Sequence, residues 1–324
     1  MSINRPAFVP GSPLSRRDAV KMGAAAALAF AAGSTPSLHA QSTLPLITKP
    51  IPSSGERIPV IGLGTNAYSV NTPEQMAPLR EVLEHMPKVG GAVVDTARAY
   101  GRSGAVIGEI LQGLGTRKQF FIATKTPAGG DFSNPQAVLD VSFAALKTDV
   151  IDLMQIHMMA GLEQMMPVFE KAKAAKRIRY IGISTSSDGQ YTQLMSAMKT
   201  YPLDFVQVDY SIDNRNAAES VLALAQERKI GVLINVPFGG RGRGAANTFA
   251  RVKGRELPPF AKEFDAASWA QFFLKYIVSH PAVTATIPGT TQRRNMEDNQ
   301  GAGRGRLPDA AMRQRMEQFW ESLA

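Results

Sequence analysis

The sequence predicts an α/β fold, a single (β/α)₈ barrel of the TIM type, on three observations. Short β-branched runs alternate with amphipathic stretches from residue 50 onward, there are eight such runs, and several end on a polar residue. Strands separated by helices pair in parallel, because the crossover returns the chain to the same end of the sheet. Eight units in roughly 280 residues suit a closed barrel better than an open sheet. The strands are expected at residues 59–63, 91–95, 120–125, 151–157, 179–184, 204–209, 231–235 and 282–287. The helices between them include 72–89, with Thr72 as N-cap, Pro73 at the first helical position and Glu74 in the first turn. A second runs over 133–146, capped by Ser133 or Asn134 before Pro135, and 214–228 and 266–279 share its period. Residues 308–323 form a C-terminal helix outside the repeat. A doubly wound dinucleotide fold fits less well, since Gly62-Leu63-Gly64-Thr65-Asn66-Ala67 lacks the third glycine of that fingerprint.

The first 40 residues stand apart from this pattern. Ser15-Arg16-Arg17-Asp18-Ala19-Val20-Lys21 resembles a twin-arginine export signal, followed by an apolar run at 22–33 and by Leu38-His39-Ala40 as a cleavage site. About 12 apolar residues are too few to span a membrane as a helix. The expected organisation is a signal at 1–40 and a barrel at 41–324. The twin-arginine machinery is then a partner, the location is periplasmic or otherwise exported, and no membrane insertion persists after cleavage. Arg5, Arg16, Arg17 and Lys21 against Asp18 remove three units from the formal charge of +9 and leave +6 for the barrel. That excess suits phosphate-bearing ligands rather than nucleic acid. The chain has no cysteine, which excludes disulfides, thiolate nucleophiles and cysteine metal sites. Four histidines offer no metal cluster, so no metal is expected.

The chemistry is expected at the strand ends. Asp95, Lys125, His157, Ser184 and Asn235 each close a strand, Tyr100 follows Asp95 in the next loop, and Gln207 lies inside its strand. Singly, each has an ordinary explanation: a helix cap, a solvated lysine, a hydrogen-bonded core histidine. Together they are hard to explain by packing, because a barrel interior penalises each unpaired polar group. Catalysis in such barrels occurs at this rim.

Asp95-Thr96-Ala97-Arg98-Ala99-Tyr100-Gly101-Arg102-Ser103-Gly104-Ala105-Val106-Ile107-Gly108-Glu109 resembles the signature segment of the aldo-keto reductases. Phe121-Ile122-Ala123-Thr124-Lys125 resembles that family's lysine strand, Asp152-Leu153-Met154-Gln155-Ile156-His157 its histidine strand, and Ile287-Pro288-Gly289-Thr290-Thr291 its eighth-strand motif. The resemblance covers nearly everything from residue 50 onward, with the motifs in the family's order. It implies a reductase interconverting aldehydes or ketones and alcohols with a nicotinamide cofactor. Tyr100 would be the general acid, Lys125 would favour its phenolate, Asp95 would hold Lys125 charged, and His157 would orient the carbonyl oxygen.

For the cofactor, the resemblance assigns Ser184 and Gln207 to the carboxamide, and Thr290, Asp298 and Asn299 to the adenosine part. Thr65 and Phe238 complete the set, with 235–240 wrapping the pyrophosphate. Thr185 stands where the family has Asn, and Asn235 where many members have a stacking tyrosine. Gly289 and Asn295 replace the family's Lys and Arg at the 2′-phosphate, a charge that Arg294 or Arg293 would supply. NADP(H) is favoured, with NAD(H) possible. Arg241-Gly242-Arg243-Gly244 lacks interleaved aromatics and suits a flap over phosphates better than RNA. The substrate is expected to be a small carbonyl compound, entering past Tyr68, Phe132, Met158 and Phe238. Two rivals are a non-catalytic nucleotide-binding barrel acting as sensor or partner subunit, and a Schiff-base enzyme using Lys125.

Overall fold

The computed structural model describes residues 43–240 and 247–323. The export-signal reading of 1–40 and the flap at 241–244 lie outside the described residues. Eight parallel strands form the barrel: β3 (Leu63–Gly64), β4 (Val93–Asp95), β5 (Phe121–Lys125), β6 (Ile151–His157), β7 (Ile178–Ser184), β8 (Phe205–Asp209), β9 (Gly231–Asn235) and β10 (Ala285–Thr286). They neighbour one another in chain order. The ends meet through two parallel bridges, Ile61 with Thr286 and Gly64 with Gly289. Closure needs glycine here: a Cβ on Gly64 would lie 2.7 Å from the Ile287 carbonyl oxygen. Each of the eight expected strands has its counterpart.

An antiparallel hairpin of β1 (Thr48–Pro50) and β2 (Arg57–Pro59) precedes the barrel, where the sequence suggests only a first strand from residue 59. Ile51 and Ile58 from this hairpin cluster with Phe121, Tyr180, Phe205 and Leu233, so the hairpin plugs the N-terminal end of the barrel. The interior is therefore packed below, and the strand ends face a cavity at the rim.

The outer layer comprises α1 (Pro73–His85), α2 (Ser103–Leu114), α3 (Pro135–Leu146), α4 (Leu162–Ala174), α5 (Tyr191–Thr200), α6 (Ala223–Glu227), α7 (Thr248–Arg251), α8 (Trp269–Val278), α9 (Arg293–Gly301) and α10 (Ala310–Ser322). The helix starts follow capping chemistry. Thr72 and Gln75 form a reciprocal capping box on α1, Asn134 accepts from Ala137 N on α3, and Asp309 accepts from Met312 N on α10. The helix expected at 214–228 is a π turn, Ala218–Leu222, running into α6. No helix of the described residues is long and apolar enough to cross a membrane.

Candidate active site

Strand register gathers the polar strand ends. Asp95 lies beside Gly64 and Ala123, His157 beside Ser184, Ser184 beside Gln207, and Asp209 beside Asn235. Over them opens a cavity of about 520 Å³ lined by Asp95, Tyr100, Lys125 and His157, by Thr65, Ser184, Gln207 and Asn235, and by Met158 and Phe238. The four expected proton-handling residues thus share one cavity, as do four of the eight expected cofactor residues.

Lys125 is 1% exposed, and its Nζ donates to Asp95 Oδ2 at 2.5 Å and to the Thr96 carbonyl at 3.0 Å. Burial pushes the Asp95 carboxyl up and the Lys125 ammonium down, and each is opposed by the other's charge. Tyr100 enters on a short 3₁₀ turn, Arg98–Tyr100, which sets its ring 5.5 Å from Lys125 Nζ and edge-on to His157 at 6.5 Å between centroids. Burial, and then the charge of Asp95, hold the phenol well above its usual pKa. The Lys125 ammonium is shared with Asp95, which lies closer to it than the Tyr100 ring does. The Tyr100 hydroxyl has no hydrogen-bond partner among the described residues.

His157 is pushed down to about 4 by burial and by the Lys125 charge, so the ring is neutral near pH 7. Its backbone N–H donates to Thr126 Oγ1 at 3.1 Å, while Nδ1 is buried without a partner. Ser184 Oγ and Asn235 Oδ1 are likewise buried and unpartnered. Native proteins rarely leave such atoms unmatched unless something else meets them. A ligand amide and carbonyl at this rim would do so, which fits the nicotinamide end of a dinucleotide. Thr65 is fully buried, with Oγ1 donating to the Asp95 carbonyl at 2.9 Å and accepting from Ser103 Oγ at 3.0 Å.

The remaining expected residues stand off the cavity, on α9 and its approach. Asp298 accepts from Ser268 Oγ and from Gln271 Nε2, both at 2.9 Å, and so braces the N-terminus of α8. Asn299 is buried, and Thr290 Oγ1 accepts from Gln292 N at 3.1 Å. Arg293 is bound to Glu297 at 2.7 Å and Glu81 at 3.2 Å. Arg294 is exposed, and its charge acts on the Asp298 carboxylate. Two supposed pocket-mouth residues are elsewhere: Tyr68 is fully buried in the main core, and Phe132 packs under Gly161. Their side-chain directions are set by loop conformation, which composition does not encode. Sequence reasoning missed Gln155, which is buried and donates to Gln207 and Asp95. Its place two residues before His157, on the same strand face, was the available signal. Among the described residues no His, Cys, Asp and Glu cluster could hold a metal ion.

Known proteins are similar in both sequence and fold. The aldo-keto reductase yakc [NADP(+)] of Schizosaccharomyces pombe is 26% identical over 301 residues, covering 80% of this chain and 88% of the relative. The Bacillus subtilis aldo-keto reductase YhdN is 30% identical over 206 residues, 57% of this chain and 59% of its own. Among solved structures, a Klebsiella pneumoniae aldo-keto reductase in complex with NADPH superposes with a TM-score of 0.67 at 21% identity, covering 85% of this chain and 96% of that one. A thermostable aldo-keto reductase in complex with the inhibitor epalrestat gives 0.69 at 23% identity, over 86% and 100% of the two chains. With the family profile matching residues 60–321, the chain belongs to the aldo/keto reductase family.

Proposed function

We propose that this protein is a nicotinamide-dependent reductase that interconverts aldehydes or ketones with alcohols, using Tyr100 as general acid and base. The observation that carries the reading is the Tyr100 phenol, unpartnered in a cavity beside a buried Asp95–Lys125 pair and a neutral His157. When bound, the nicotinamide supplies the hydride. Ser184, Gln207 and Asn235 would hold its carboxamide end. Tyr100 is protonated near pH 7 and donates to the carbonyl oxygen. Lys125, 5.5 Å from the ring, stabilises the phenolate as it develops, and the Asp95 carboxylate keeps that ammonium in place. His157 hydrogen-bonds the same oxygen as a neutral ring and fixes its direction. Lys125 is too enclosed and too firmly bonded to present a lone pair, which disfavours the Schiff-base alternative.

NADP(H) is preferred over NAD(H), because Arg294 is an exposed cation suited to a 2′-phosphate and the relatives named with a cofactor carry NADP. Fluorescence titration with NADPH and NADH tests this, together with loss of nicotinamide absorbance on adding a panel of small aldehydes. Tight NADPH binding with aldehyde-dependent oxidation is expected, and binding of neither nucleotide would sink the reading.

Residues 1–40 support an exported enzyme delivered by the twin-arginine route, which carries folded proteins. Such a protein would travel with its cofactor and recycle it between two substrates. Cell fractionation checks the location. Loss of the nucleotide on gel filtration would refute its retention.

A further inference from the structure

Gln155 is fully buried in β6 and is not used by the proton chemistry above. It precedes His157 by two residues, so its side chain shares the barrel-interior face with the imidazole. Register sets it beside Lys125 on one strand and Gly182 on the other. A Cβ on Gly182 would lie 3.0 Å from Gln155 Cγ and 3.1 Å from the Phe205 carbonyl oxygen. Glycine there opens the passage by which Gln155 crosses β7 to reach β8. Beyond it, Gln155 Nε2 donates to Gln207 Oε1 at 2.9 Å and to Asp95 Oδ1 at 3.4 Å. Gln155 Oε1 is buried with no partner among the described residues.

The two ends of an amide are alike in shape and opposite in hydrogen bonding, so what an amide faces decides its orientation. Asp95, ionised beside Lys125, only accepts, and Gln155 therefore turns its NH₂ toward the carboxylate. The same NH₂ meets Gln207, which answers with Oε1. The Gln207 NH₂ is then turned toward the Asp95 carboxylate, which its side chain also bonds, and toward the cavity wall, where its second hydrogen is available as a donor. Reversal would set the Gln155 carbonyl against a buried carboxylate and leave Gln207 Oε1 unmatched, an arrangement disfavoured by unpaired desolvation.

We propose that Gln155 is a positioning residue that locks the Gln207 amide with its NH₂ toward the cavity, so that the Asp95–Lys125 pair dictates how the carboxamide of the cofactor is received. The inference rests on the nicotinamide reading of the site. It makes the proton-handling pair and the hydride-carrying end of the ligand one hydrogen-bonded unit. Asp95 on β4, Lys125 on β5, His157 on β6 and, across the cavity, Tyr100 are the titratable groups around this position.

The test is fluorescence titration of the full chain with NADPH and with 2′-phospho-ADP-ribose, which lacks the nicotinamide. Gln155→Met keeps the volume and removes the bonds. It should weaken NADPH about tenfold, the loss of one charge-linked hydrogen bond, and leave 2′-phospho-ADP-ribose unchanged. Gly182→Ala, which displaces the Gln155 side chain from the next strand, should act in the same direction. Gln155→Glu should regain NADPH affinity as the pH falls, because the protonated carboxyl donates to Gln207 Oε1, whereas Gln155→Met shows no such recovery. Unchanged NADPH affinity in Gln155→Met, or an equal loss for both ligands, overturns the proposal. A ligand-free readout separates it from the cofactor reading. In isotope-labelled protein the Gln207 side-chain NH₂ resonances should shift and broaden in Gln155→Met. If they do not, the lock is wrong whatever the protein binds. If they do and the wild type binds no NADPH, the lock stands and the cofactor reading fails alone.

Discussion

Asp152 and Asp95 lie at opposite ends of the same barrel, each beside cations, with different surroundings. At the N-terminal end, Asp152 accepts from Ile122 N at 2.8 Å, from Arg117 at 2.9 Å and from Arg179 at 2.8 Å. Asp204, just before β8, repeats the device with Ile181 N at 2.8 Å and Lys173 at 2.5 Å, and Thr284 Oγ1 accepts from Val232 N at 3.0 Å. The bonds from Ile122 N, Ile181 N and Val232 N each tie one strand to its neighbour. At the other end, Ser184 Oγ, Asn235 Oδ1 and His157 Nδ1 are buried without partners. Met158, Met159 and Val236 hold left-handed backbone there, at φ 52°, 57° and 48°, as Lys147, Lys176 and Lys229 do at the N-terminal end. The N-terminal end, where carboxylates bridge neighbouring strands, holds the barrel together, although Thr116 Oγ1 and Arg117 Nε there are also buried without partners. The rim differs in that its unpartnered groups line a cavity and keep their bonding capacity for a ligand.

The largest effect should separate the two ends cleanly. Tyr100→Phe is expected to lower kcat by about 10²–10⁴-fold with unfolding in urea unchanged, since the hydroxyl has no partner to lose. A variant retaining wild-type turnover would remove Tyr100 from the chemistry. Asp152→Ala should do the reverse. It should cost about 2 kcal/mol of stability by unpairing Ile122 N, Arg117 and Arg179, while kcat of the folded protein holds. Equal stability of Asp152→Ala and wild type in urea would show that the N-terminal end carries no such load.

Histidines at both ends give a smaller, pH-dependent effect. His157 at the rim and His280 beside Lys49 at the opposite end are both pushed down to about 4, chiefly by burial. The unfolded chain takes up these protons near pH 6.5, so stability should fall as the pH drops from about 6.5 to about 4 and level off below. His157→Asn and His280→Asn should each flatten part of that slope in unfolding measured at stepped pH. An unchanged slope in both would show that neither ring is held neutral. The smallest effect tests the strain: Val236→Gly should stabilise the protein by about 1 kcal/mol and lower kcat, because the turn aims 235–238 at the cavity. A loss of stability would mean that Val236 packing outweighs its backbone cost.

The rim was legible in the sequence because several strands there are apolar runs ended by a polar residue, and the parallel fold brings all those ends to one side. Asp95, Lys125, His157, Ser184 and Asn235 followed from that rule without side-chain detail, whereas Gln207, inside its strand, came from the resemblance. The hairpin of β1 and β2 was not legible, since three-residue strands carry too little alternation to be distinguished from a loop. Tyr68 and Phe132 show the same limit in loops, where residue type does not say which way a ring points. Gln155 was hidden by the motif that contains it, in which only the terminal histidine drew attention. The adenosine-side residues Thr290, Asp298 and Asn299 were placed by resemblance alone, and Arg294 or Arg293 was offered where the chain departs from it. The bonds that bind Asp298 to α8 depend on packing between helices, which no local pattern expresses.

The seam between β3 and β10 governs how the chain must be made. Each of these strands has two residues, and they are joined through Gly64 and Gly289 across 225 positions of sequence. Until the segment around Gly289 has left the ribosome, β3 remains an open edge with unmatched N–H and C=O groups. The nascent chain therefore exposes its first barrel strand while all the intervening strands are made, and closure by the segment around Gly289 is what makes the product safe from pairing with its neighbours.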